Sequence, residues 1–147
     1  MTGSGSIVYD HSDVGLDSDI KLNAGTFYID SSGDAGDGTI TVAAGAILHG
    51  AGSAAAVVIQ NFAALQINKS ETFSIDSLVL SAASGLDIFI DDDSDASDNE
   101  HGVCTILGNL TLDGTVLVQI GSFGNDSFTF MTAGGTITNN TASVAMP

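Results

Sequence analysis

Arginine and tryptophan are absent from this chain, and proline and cysteine occur once each in 147 residues. Lys21 and Lys69 are the only basic side chains besides three histidines, against 18 acidic ones, for a net charge of −16. A nucleic-acid ligand is released from its counterions by lysines and arginines, so this composition argues against one. An anionic membrane surface would repel the chain for the same reason. Anionic polysaccharides are disfavoured unless a divalent cation bridges. A lone cysteine, Cys104, excludes an internal disulfide, the usual staple of a small secreted module. The longest apolar run, near residues 54–59, is far short of the ~20 residues that span a bilayer. No charged segment followed by an apolar one opens the chain, so no signal peptide is visible. Residues 1–6, Met-Thr-Gly-Ser-Gly-Ser, read as an added leader.

What is present is apolar but finely divided. The hydrophobic fraction is 44% and the mean hydropathy +0.32, which excludes general disorder. The length suits one domain, assigned to residues 7–147, large enough for a core without staples. Helical periodicity is scarce. Residues 54–66 carry no breaker, but Val57, Val58 and Ile59 are β-branched and favour a strand over a short helix. Elsewhere short alternating pieces recur, cut by Gly, Asn, Asp and Ser: 26–30, 39–42, 46–49, 72–75, 78–80, 86–90, 103–107, 110–112, 116–120, 128–130 and 136–138. Two-residue hairpin signals are few, and Asp113-Gly114 serves either as a hairpin or as a tight corner.

Pieces this short and this closely spaced predict an all-β solenoid, a parallel β-helix of about seven short rungs. Aliphatic residues stack inward and Thr, Ser, Asp and Gln point out. The glycines of Gly33-x-x-Gly36-x-Gly38 precede a strand and read as corners, not as a dinucleotide loop. No phosphate loop of the Gly-Lys-Ser/Thr type and no Gly-x-Ser-x-Gly elbow occurs.

The one abrupt change of composition is 91–100, Asp-Asp-Asp-Ser-Asp-Ala-Ser-Asp-Asn-Glu, expected as a loop between rungs. Asp91, Asp93, Asp95, Asp98 and Glu100 offer the oxygen ligands that calcium takes. The EF-hand pattern fails at its sixth position, Ala96, and at its twelfth, Gly102. The competing reading is a solvated run of like charges. His101 and Cys104 could suggest a thiol nucleophile, yet Cys104 falls in an alternating strand and reads as a small core hydrophobe. His11 and His49 are isolated. Paired carboxylates could serve glycoside hydrolysis, but the chain is poor in the aromatic and basic groups that hold sugars for cleavage. The expectation is a non-enzyme.

Residues 108–138 resemble the end of the passenger domain of bacterial autotransporters, the pertactin-like or AIDA-type group. The resemblance rests on Gly-Asn-Leu-Thr-Leu-Asp-Gly-Thr-Val-Leu-Val at 108–118, Gly-Ser-Phe-Gly at 121–124, Ser-Phe-Thr-Phe-Met at 127–131 and Ala-Gly-Gly-Thr-Ile-Thr at 133–138. It implies a right-handed β-helix with an autochaperone-like C-terminal segment, exposed on or released from a bacterial surface, and no catalytic residue. No translocator barrel follows the matching stretch. Partners would then be a surface receptor or glycan, with self-association through terminal rungs. The alternatives are a calcium-dependent S-layer or phage-fibre subunit and a polysaccharide-active enzyme.

Overall fold

The computed structural model describes residues 5–9, 18–88, 101–113, 115–120, 129–140 and 143–145. In chain order the strands are β1 (Ser6–Tyr9), β2 (Ile20–Leu22), β3 (Gly25–Ile29), β4 (Thr39–Val42), β5 (Ala46–Gly50), β6 (Ser53–Ile59), β7 (Ala64–Ile67) and β8 (Thr72–Leu80). There follow β9 (Gly85–Ile88), β10 (Val103–Ile106), β11 (Leu110–Leu112), β12 (Thr115–Ile120), β13 (Met131–Ala133), β14 (Ile137–Asn139) and β15 (Ser143–Ala145). All of the described regular structure is strand, and every pairing is parallel.

The chain alternates between two sheets as it advances. The first runs β1-β3-β5-β7-β9-β12-β15, and the second runs β2-β4-β6-β8-β10-β13 with β11 and β14 beside it. Each strand inside a sheet therefore pairs with the strand one coil earlier and one coil later, the arrangement of a β-solenoid. The long strand β8 meets two successors in the next coil. Its first half pairs with β10 and its second half with β11, so the second sheet has two stretches separated by a bend. Along the chain, coil after coil, the backbone visits the first sheet, then these two stretches in turn.

Alternation explains the strands. Thr-Ile-Thr-Val in β4, Ala-Leu-Gln-Ile in β7 and Val-Cys-Thr-Ile in β10 each bury every second residue. Register then stacks like on like. Phe27, Leu48, Leu65 and Leu86 form one column through the first sheet, in steps of 21, 17 and 21 residues. In the second sheet Ile40, Val57, Leu78 and Leu110 form another, beside Val42, Ile59 and Leu80. All of these side chains belong to one continuous buried cluster.

Two local devices hold the coils at this spacing. Gly50 follows Ile29 in its column and leaves a notch. A Cβ there would lie 2.5 Å from the Phe73 ring, which fills the space from the second sheet. The other device is a column of turns that carries the chain from the second sheet to the first. The turns at 43–46, 60–63 and 81–84 are each closed by a 3.0 Å bond from the fourth N–H to the first C=O. Their third residues, Gly45, Phe62 and Ala83, have φ of +79°, +61° and +56°. Those residues also bond to one another: Gly45 N–H donates to Phe62 C=O at 2.8 Å, and Phe62 N–H to Ala83 C=O at 3.0 Å. Glycine adopts that conformation freely, whereas Phe62 and Ala83 do so at a cost of about 1 kcal/mol or more each.

Three expectations change in detail. Residues 54–66 are not one strand: a turn around Asn61 and Phe62 divides β6 from β7, which lie in different sheets. Asp113 stands at a corner and not in a hairpin, since β11 and β12 also lie in different sheets. Of the strand expected at 128–130, Phe128 lies outside the described residues, Thr129 and Phe130 precede the strand, and β13 begins at Met131, where the register with Cys104 starts. Gly33 and Gly36 are at corners as expected, with Gly36 at φ +71°.

Candidate functional site

Successive coils place their outward residues in register as surely as their inward ones. On the first sheet this puts Tyr28, His49 and Gln66 one above another. The rings of Tyr28 and His49 lie 4.4 Å apart between centroids, tilted by 43°. Beyond Gln66 the chain turns at 68–71, where Glu71 N–H donates to Asn68 C=O at 3.1 Å. Ser70 within that turn has φ +60°.

The turn aims the Glu71 carboxylate back along the column. Its Oε1 accepts the Tyr28 hydroxyl at 3.1 Å. Its Oε2 accepts Asn68 N–H at 2.9 Å and lies 2.7 Å from His49 Nε2. A carboxylate oxygen only accepts, so Nε2 carries the proton in that contact. Gln66 donates to Asn68 Oδ1 at 3.0 Å and steadies the same turn. Glu71 thus ties side chains from two earlier coils to the backbone of its own turn. The His49 and Glu71 side chains are 16% and 20% exposed, enough shelter to make these bonds stronger than an open surface contact. Burial, reinforced by the Glu71 charge and hydrogen bond, raises the Tyr28 phenol above its ordinary pKa.

Beside this cluster, where the first sheet hands over to the second, lies an open groove of about 710 Å³. Tyr28, Asp34, Ser53, Glu71, Thr72 and Ser74 are among its lining residues. The corner holds its shape through short-range bonds. Gly33 N–H donates to Asp30 C=O at 2.9 Å, Asp30 Oδ1 accepts both Ser32 N–H and Ser32 Oγ–H, and Asp34 Oδ1 accepts Gly36 N–H. Short polar side chains of this kind favour turns for that reason. No lining residue is basic. The hydroxyls of Ser53, Thr72 and Ser74 have no hydrogen-bond partner within the protein among the described residues. The groove therefore presents carboxylate and hydroxyl oxygens held by a rigid frame.

The residues singled out from sequence are distributed otherwise. Asp91, Asp93, Asp95, Asp98 and Glu100 lie outside the described residues. The step from Leu86 to its register partner Val118 is 32 residues, and the added length falls in the span that contains them. Among the described residues no three His, Cys, Asp or Glu side chains gather as a metal-binding set. Cys104 is fully buried between Phe73 and Met131 in register, and burial pushes its thiol up to about 12. A thiol so hard to ionise is no nucleophile, which agrees with its reading as a core hydrophobe. The cluster of Tyr28, His49 and Glu71 was not legible beforehand. His49 read as isolated because its partners stand 21 residues before it and 22 after it. No family model matches the chain, and no curated protein or solved structure matches it.

Proposed function

We propose that this chain is a non-catalytic structural and adhesive module of the extracellular bacterial surface. In this reading it is a right-handed β-helix of about seven rungs, a piece of a passenger of the autotransporter kind. The observation that supports it is the in-register parallel stack, whose buried apolar cluster reaches from Leu22 to Leu110 among the described residues. A stack of this kind is stiff along its axis, because every coil is hydrogen-bonded to both neighbours, and it can carry a binding face away from the cell. The groove fits such a role. Its carboxylate Glu71 is held in place by Tyr28, His49 and Asn68. The strongly acidic surface suits exposure to the medium and resists aggregation.

Antibodies raised against the purified chain should label intact cells of the source organism, and beads coated with the chain should adhere to a target surface. Labelling that requires permeabilised cells would refute the surface role. Release of product from any polysaccharide by the purified chain would refute the non-catalytic one.

A further inference from the structure

Beyond the groove itself, one polar column runs through the second sheet. Asp34 pairs with Ser53, Ser53 with Ser74, Ser74 with Thr105, and Thr105 with Thr132. The residue after each of the last four, Ala54, Ile75, Ile106 and Ala133, belongs to the core or packs against it. Alternation along a strand then turns Ser53, Ser74, Thr105 and Thr132 outward. The result is one oxygen-bearing side chain per coil over five coils. At ~4.8 Å between neighbouring parallel strands the column is about 19 Å long. Its first three members line the groove together with Tyr28 and Glu71.

We propose that the groove and this column bind an uncharged polysaccharide laid parallel to the solenoid axis, its successive sugars facing successive coils. The proposal deepens the adhesive reading and rests on it. Three features select the ligand. Hydroxyls both donate and accept, so Ser53, Thr72 and Ser74 can meet sugar hydroxyls in either sense, while Asp34 and Glu71 accept from them. The lining has no cation, and the chain carries −16, so uronates, sulfates and sialic acids are repelled. The column belongs to the face of a sheet whose backbone groups are already paired, so an extended peptide cannot add to it as a strand. The scarcity of aromatic residues bears on stacking platforms and not on this mode, which reads sugars through hydrogen bonds along their edges, with Tyr28 as a single apolar wall. The rise of one coil is close to the length of one sugar in an extended chain, so a regular polymer keeps register with the column.

The purified chain should be tested by affinity electrophoresis and calorimetry against galactomannan, xyloglucan and mixed-linkage β-glucan as neutral polymers. Polygalacturonate and chitosan serve as the anionic and cationic ones. At least one neutral polymer should bind, and in NMR the amides of Ser53, Ser74 and Thr105 should shift together on titration. Ser74→Gln, which extends a side chain into the groove, should weaken that binding by about tenfold or more. Thr41→Gln, an outward change on β4 away from the groove, should leave it unaltered. If Ser74→Gln fails to fold, the coincident amide shifts decide. Binding to chitosan or polygalacturonate alone, no binding to any polymer, shifts confined to other amides, or a Ser74→Gln variant that folds and binds normally would each overturn the proposal. Adhesion of chain-coated beads that persists after every neutral polymer has failed would remove the glycan proposal and leave the surface role standing.

Discussion

The middle coils and the last described coil obey the same register but differ in what covers them. Ile40, Val57 and Leu78 occupy one column and are at most 1% exposed, whereas Ile137, in register with Leu110 above it, is 58% exposed. In the neighbouring column Val42, Ile59 and Leu80 are fully buried, and the corresponding position in β14 is Asn139. Strand propensity and register alone therefore do not make a core position. Ile137 has Leu110 on one side and no described strand on the other, so it gains little from burial, and stability shared out between neighbouring coils declines toward the last described rung.

The largest effect expected from this contrast is at Leu65, between Leu48 and Leu86. Leu65→Ala should cost about 3 kcal/mol in urea unfolding, through lost burial and a cavity that rigid neighbours cannot close. Ile137→Ala should stay within about 0.5 kcal/mol. Equal losses at the two sites would break the comparison. Next comes Gly50→Ala. Its new methyl meets the Phe73 ring, itself fully buried, and should cost about 1–3 kcal/mol. Adding Phe73→Leu should recover part of the loss, and strict additivity of the two changes would show that they do not share the space. A smaller change of opposite sign is expected at Phe62, which holds φ +61° while its side chain is 75% exposed. Phe62→Gly relieves the strained backbone but loosens the unfolded chain, for a net gain of about 0.5 kcal/mol, visible as a raised melting temperature.

The smallest effect is a pH dependence. Tyr28 has a raised pKa in the folded chain, so the folded state holds the phenolic proton more tightly than the unfolded state does. The resulting stability is fully present below the ordinary phenol pKa near 10 and is lost as pH climbs from there through the folded value. Melting temperatures of the natural chain should fall more steeply above pH 10 than those of Tyr28→Phe. Parallel curves would show that Glu71 and burial do not perturb the phenol.

The strands were legible because their period is two: Thr39-Ile-Thr-Val42 and Ala64-Leu-Gln-Ile67 announce which residues face inward. The stacking of coils was legible only in outline. Steps of 21, 17, 21 and 32 residues in one sheet leave no fixed repeat to align. The turn at 60–63 was hidden because Phe62 occupies a backbone conformation usually signalled by glycine. The site was hidden for the same reason as the unequal coils. Tyr28 and Glu71 are 43 residues apart, and nothing in the composition around either foretells that two intervening coils bring them within a hydrogen bond. Asp91 to Glu100 stand out by local density of charge, a signal that sequence carries without reference to any fold.

Glu71 has one further consequence, for the order in which the molecule comes into being. Its carboxylate collects Tyr28 and His49 only after the chain has gone twice around and begun a third circuit. No single circuit owns the groove, and a nascent chain that stops at Ile67 has laid down Tyr28 and His49 but not the acid that joins them. The proposed recognition would then switch on at a definite moment of winding, as the closing of a knot and not the lengthening of a thread.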